Sequence, residues 1–266
     1  MPGLRPRQPP ARPAILGVFL QESRLAHAAI TGWGKCLPPA ILSNADLTQL
    51  FETSDEWILS RTGIRERRIS HVSLEELAYV ASVRALAAAG LEGSAIDLVV
   101  FGTCSNGDQV PNMASAIQLR IGAASAAAMD VNTACTSFLY ALSTASALIR
   151  TGVVRTALVI GAEVISPFMD WADRNVAVLF GDGAAAVVLE VTQREEGLLA
   201  EKLGCYADAR ETLPERRRCV NRRLSCLRPT GRRCGSSRTC WRRRRRPQRL
   251  RRRSRSNRFF VRALAR

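Results

Sequence analysis

Cys135 stands in the run Asp130-Val-Asn-Thr-Ala-Cys-Thr-Ser-Phe-Leu-Tyr140, where an apolar strand delivers the chain into a tight turn and a helix is expected to begin at the sulfur. A cysteine at a helix N-terminus faces the positive end of the macrodipole and unpaired backbone N–H groups, and both favour thiolate over thiol. The chemistry this supports is that of an activated thiol, whose thiolate is the nucleophilic form. The competing reading is a small apolar residue filling a core, since free cysteine is among the most buried residue types.

Further segments weigh in favour of the nucleophile. Ile30-Thr-Gly-Trp-Gly-Lys-Cys-Leu-Pro38, Thr53-Ser-Asp-Glu-Trp-Ile-Leu-Ser-Arg-Thr-Gly-Ile-Arg-Glu-Arg67, the Cys135 run and Phe180-Gly-Asp-Gly-Ala184 lie in one stretch from about Ala28 to Pro214. Together they resemble the β-ketoacyl-acyl-carrier-protein synthases of type III, condensing enzymes with the thiolase fold. The Thr-Ser-Asp-Glu-Trp to Gly-Ile-Arg-Glu-Arg run is close to diagnostic, whereas Gly-Asp-Gly alone is weak. The resemblance implies a two-stage reaction. An acyl-CoA first transfers its acyl group to Cys135, with the Cys135 backbone N–H as one oxyanion donor. Malonyl-acyl-carrier protein is then decarboxylated and its carbanion attacks the thioester. The acyl-CoA is a substrate, and no cofactor or metal is implied.

Coenzyme A recognition carries over residue by residue. Trp57 matches the aromatic on which the adenine stacks, Arg174 the arginine on the other face of that ring, and Thr53 an adenine-contacting hydroxyl; Arg61 is placed to meet a phosphate. The plain alternatives are a core role for Trp57 and an ion pair of Arg174 with Asp173 or Asp170. Val110, before Pro111, occupies the position from which family members reach across a homodimer interface toward the partner's acyl pocket. Thr136-Ser137 departs from the Ala-Gly or Ser-Gly more often found after the nucleophile.

Stage two in the family needs a His and an Asn downstream of the nucleophile. This chain holds only His27 and His71, both before Cys135, and Asn221 and Asn257 have no family motif around them. One of the three catalytic residues is therefore present. His71 reads as an exposed loop residue.

Charge divides the chain. Residues 1–214 hold 17 Lys and Arg against 22 Asp and Glu, while residues 215–266 hold 22 Arg, no Lys and the single acid Glu215. The whole-chain isoelectric point of about 10.9 thus describes the tail. With an Arg242–Arg246 run and hardly any apolar periodicity, the tail cannot offset the entropy of ordering and is expected to be disordered. Arg, Pro, Cys and Ser without Lys is what a GC-rich gene yields out of frame, and family resemblance stops at Pro214. A frameshift is the favoured reading, with a phosphate-binding basic arm as its rival.

Cys36, Cys104, Cys135 and Cys205 are far apart, and the tail cysteines Cys219, Cys226, Cys234 and Cys240 have no His nearby. That fits a reduced cytoplasmic protein better than a disulfide framework or a zinc site. Met1 to His27 is Arg- and Pro-rich with one short apolar stretch, Ala14–Leu20, too short to span a bilayer. It reads as a loose extension or a misassigned start.

The elements that must position the chemistry alternate along the rest. Strands are expected over 28–34, 98–104, 126–131, 156–163, 184–191 and 197–205, and helices over 45–51, 54–60, 73–89, 111–121 and 135–151. Ser73-Leu-Glu-Glu76 is a capping box. Leu98–Phe101 and Ala157–Ile160 are apolar on both faces, as a doubly covered sheet requires. The fold class is α/β: by resemblance, the first half and the start of the second of a five-layered αβαβα thiolase-like fold, with the face meant for the second half exposed.

The sequence thus reads as a truncated type III ketoacyl synthase of fatty-acid biosynthesis, inactive in condensation as it stands. The alternatives are a non-catalytic acyl-CoA-binding or dimerising subunit, and a nucleic-acid binder acting through the Arg tail.

Overall fold

A computed structural model describes residues 26–205, apart from Gln109. The expectations for the first 25 residues and for the Arg-rich tail lie outside the described residues, and every regular element falls in one compact unit ending at Glu201.

The centre is a five-stranded mixed sheet of order β1(His27–Cys36), β7(Gly183–Thr192), β6(Thr156–Glu163), β4(Leu98–Gly102), β5(Ala127–Val131). β1, β7 and β6 pair antiparallel; β6, β4 and β5 run parallel. Successive residues of β4 serve opposite faces, as strand geometry dictates. Val99 and Phe101 join the core under α3(Leu74–Ala89) and α4(Met113–Arg120), whereas Leu98 and Val100 join Ala141, Ala145 and Ile149 of α5(Ser137–Arg150). Both faces of the sheet are thus covered, as the two-sided apolar runs predict. On β1, Ile30 and Trp33 remain 52% and 64% exposed.

Beside this layered core sits a small second one. β2(Ala40–Ser43) and β3(Glu66–Ile69) form an antiparallel ribbon, and α1(Asn44–Leu47), α2(Asp55–Thr62) and α6(Arg174–Ala177) complete the set. Its fully buried residues are Leu47, Ile58 and Val178, with Trp57 and Trp171 packed against them.

Several expectations need correction. No strand forms over 197–205: only the Leu198 N–H reaches the Ala28 carbonyl of edge strand β1, at 3.3 Å, and Gly197 is in the left-handed region with φ 87°. The helix expected over 45–51 stops at Leu47. The capping box expected at α3 forms by half. Ser73 accepts from the Glu76 N–H, but the Glu76 carboxylate turns outward to pair with Arg120 at 3.0 Å. A complete box forms instead at Ser43 and Asp46, opening α1.

Candidate active site

The residues before α5 make a turn whose geometry is set locally. Ala134 takes φ 53°, a conformation that non-glycine residues adopt at a cost, and the side chains around it hold it there. The Ser137 hydroxyl accepts from the Thr133 N–H at 2.9 Å and donates to the Ala134 carbonyl at 2.6 Å. Thr136 donates to the Thr133 carbonyl at 2.8 Å. Ser137, the departure from the more usual glycine, is therefore the brace of the turn. The helix begins at Ser137 with Thr136 as its N-cap, so Cys135 stands two residues before the first helical residue rather than at it, on the turn and exposed to solvent. The competing reading of Cys135 as a buried core residue is excluded by that exposure.

Glycines let α5 press this turn onto the sheet. A Cβ on Gly102, the last residue of β4, would stand 2.7 Å from the Ser137 carbonyl carbon, and one on Gly161 of β6 would stand 2.9 Å from the Phe138 ring. Real Cβ contacts are not that short, so a side chain at Gly102 would have to displace backbone and one at Gly161 would have to displace the Phe138 ring. Neither glycine carries a signal in the local sequence; both follow from two-sided strands ending beneath a helix start.

Asp130 on β5 accepts from the N–H groups of Met113 and Ala114 at 2.9 and 2.8 Å, capping α4 and fixing the loop that carries Val110. Val110 itself is 87% exposed. Glu163, the last residue of β6, accepts from the Cys104 N–H at 2.8 Å and from the Thr103 hydroxyl at 3.2 Å. Shelter of the Cys104 sulfur, then the Glu163 carboxylate, push that thiol up to about 12, with Cys135 a smaller contributor. Because the residue as a whole is exposed, solvent tempers the first cause; the carboxylate is the part a substitution removes. Sequence reading missed this acid. A cavity of about 330 Å³ opens against the following loop, lined in part by Ser105, Asn106, Met113 and Phe168.

Buried Asp182, in the Gly-Asp-Gly motif, accepts from the N–H groups of Ser70, Ile165 and Ser166 and from the Ser166 hydroxyl, at 2.6 to 3.0 Å. The motif therefore staples the segment after β3 to the loop after β6.

The second cluster gathers all four residues expected for coenzyme A. Ser54 caps α2 by accepting from the Trp57 N–H at 3.1 Å, which sets Trp57 in the first turn. Arg61, one turn on, lies over the Trp57 ring with Cζ 4.4 Å from its centroid, and Arg174 of α6 lies at 4.8 Å. Arg174 Nη1 also donates to the Glu52 carbonyl at 3.2 Å; the ion pair with Asp173 or Asp170 weighed from sequence is not among its contacts. The Thr53 hydroxyl is buried and has no hydrogen-bond partner among the described residues, a state that costs about 1–3 kcal/mol. Trp57 is packed on the small core, as its core reading expects, and its ring also faces the two guanidinium groups.

Among the described residues no helix is long and apolar enough to cross a membrane. The family model for 3-oxoacyl-[acyl-carrier-protein] synthase III matches residues 129–207. The chain is 54% identical over 187 residues to beta-ketoacyl-[acyl-carrier-protein] synthase III 2 of Vibrio cholerae, covering 70% of this chain and 52% of the relative. It is 45% identical over 193 residues to the synthase III of Xanthomonas axonopodis pv. citri, covering 72% and 59%. The crystal structure of 3-oxoacyl-[acyl-carrier-protein] synthase III from Aquifex aeolicus superposes with a TM-score of 0.62 at 40% identity, over 63% of this chain and 55% of that one. The chain spans about half the length of the curated relatives it matches. Matching sequence and a matching layered sheet, with the cysteine turn inside the family model's span, show that the described part of the chain belongs to the thiolase-like β-ketoacyl-acyl-carrier-protein synthase III family.

Proposed function

We propose that this protein carries out the acyl-transfer stage of a synthase III reaction, with coenzyme A thioesters as acyl donors and Cys135 as acceptor. The observation that carries the reading is the exposure of Cys135 on a braced, strained turn at the end of a covered strand. Its thiolate attacks the thioester carbonyl carbon; the new bond joins that carbon to the Cys135 sulfur, and the bond to the coenzyme A sulfur breaks as coenzyme A leaves as the thiolate and takes up a proton. The Cys135 N–H is assigned as one donor to the oxyanion.

Trp57 and Arg174 take the adenine between them, Thr53 supplies a hydroxyl that ligand binding relieves of its orphaned state, and Arg61 moves from the indole to a phosphate. Opening the clamp is cheap: an exposed cation–π contact is worth about 0.5–1 kcal/mol. Val110 is assigned to the rim of the partner's acyl pocket in a homodimer, malonyl-acyl-carrier protein is the second substrate, and the setting is the cytoplasm in fatty-acid biosynthesis.

In this sequence no His follows Cys135. Losing each enolate-stabilising donor costs on the order of 10²–10³ in rate by analogy with single oxyanion donors. The 266-residue chain is therefore expected to acylate Cys135 and not to extend the acyl chain. The test supplies the purified chain with labelled acetyl-CoA and malonyl-acyl-carrier protein. Acyl-enzyme without ketoacyl product supports the reading; absence of acyl-enzyme, or product formed by this chain alone, contradicts it.

A further inference from the structure

We infer that Arg67 is a positioning residue for the adenosine clamp: one buried guanidinium carries both jaws, Trp57 and Arg174, and fixes the backbone separation between them. This rests on the reading of those two residues as part of a coenzyme A site.

Arg67, the second residue of β3, is 4% exposed. Its Nε and Nη2 both donate to the Val178 carbonyl, at 3.0 and 2.6 Å. Val178 caps α6 one turn beyond Arg174. Its Nη1 donates to Oδ1 of buried Asn44 at 2.6 Å. The Asn44 amide then donates to the Asp55 carboxylate at 2.6 Å and to the Ile64 carbonyl at 2.9 Å. Asp55 opens α2 two residues before Trp57, and Ile64 lies just past that helix's end, so Asn44 grips α2 at both ends. One jaw hangs on the guanidinium directly and the other through one side-chain amide.

Among the described residues Arg67 forms no ion pair. A buried cation held by neutral acceptors alone is a costly means of cohesion. What it supplies over an apolar side chain is direction, because the planar guanidinium fork fixes both the angle and the distance of the groups it bonds.

The clamp needs that fixity. An adenine ring between the jaws requires two contact gaps of about 3.5–4.0 Å each, whereas Arg174 Cζ now lies 4.8 Å from the indole centroid. The Arg174 side chain must therefore withdraw and release the Glu52 carbonyl while α6 stays in place. Val178, held by two donors, is the anchor against which it moves.

The experiment measures protection of Cys135 from iodoacetamide by coenzyme A and by pantetheine, which lacks the adenosine. Arg67→Met is expected to raise the half-protecting concentration of coenzyme A by about 10-fold, the scale of a lost base-stacking contact, and to leave that of pantetheine unchanged. Arg67→Lys, which keeps the charge without the fork, should fall between, and Arg67→Met added to Trp57→Ala should cost nothing further. If Trp57→Ala weakens coenzyme A protection while Arg67→Met does not, the positioning role is wrong and the clamp stands. If coenzyme A gives the unchanged chain no more protection than pantetheine, or Trp57→Ala has no effect, the clamp reading fails and the inference with it. Equal loss for both ligands makes Arg67 merely structural and also overturns it. Should Arg67→Met not fold, Arg67→Lys is read by the same criteria.

Discussion

The thiol turn and the proposed adenosine clamp are built in opposite ways. The turn is contiguous: residues 130–140 supply the strand, the strained Ala134, the Ser137 brace and the helix, and a two-faced sheet core supports them. The clamp is assembled from distant segments around residues 44, 57, 67 and 174–178, over a core of three fully buried side chains. A reactive atom can be placed by local backbone geometry, whereas a slot for a planar ligand needs two walls, and those must come from different parts of a chain. The two sites should therefore fail separately.

The largest effect is expected at the turn. Gly102→Val places carbon where 2.7 Å separates a Cβ from the Ser137 backbone, and overpacking of that kind costs about 1–3 kcal/mol, more where backbone rather than side chain must yield. Thermal melting should fall and the alkylation rate of Cys135 should change markedly. Near-native melting with unaltered Cys135 reactivity would show that the turn does not depend on the sheet beneath it.

Next comes Trp57→Ala. Coenzyme A affinity should drop by roughly 5- to 150-fold, the range of about 1–3 kcal/mol for a base–aromatic stack. Cys135 alkylation in the absence of ligand should not change. A parallel loss of both would mean the two regions are coupled after all.

A smaller effect separates the two thiols near the turn. The Cys104 thiol is held up at about 12, so its thiolate stays scarce where an ordinary thiol has ionised. In linkage terms a raised folded-state value stabilises the fold up to the unfolded thiol's ordinary value near 9, and that contribution is lost as pH climbs toward 12. Glu163→Gln removes one cause of the rise, so Cys104 alkylation at pH 9 should quicken several-fold, as peptide mass analysis reads it. An unchanged rate would mean that shelter alone protects the sulfur.

What was legible in the sequence follows the same division. The β4 and β6 runs, α3, α5 and the cysteine turn were readable because each is specified by neighbours: two-sided apolar strands, a helical period, a small-residue turn. The ribbon of β2 and β3 was not, since Ala40–Ser43 and Glu66–Ile69 are four residues each and owe their pairing to one another across the whole of α1 and α2. The strand expected over 197–205 misled for a related reason: its leucines suit a strand, but beyond Leu198 the backbone makes no ladder with β1. Trp57 and Arg174 could be named by resemblance. That a single arginine of the Gly-Ile-Arg-Glu-Arg run holds them both could not, because its acceptors Asn44 and Val178 carry no pattern that links them to residue 67.

The central claim is that Cys135 accepts the acyl group, and the direct measurement is mass analysis of peptides after incubation with acetyl-CoA. The account predicts one acetyl adduct, on the peptide carrying Cys135, abolished in Cys135→Ser and retained in Cys104→Ser. Acetylation on Cys36, Cys104 or Cys205 instead, or an adduct that survives in Cys135→Ser, would contradict it.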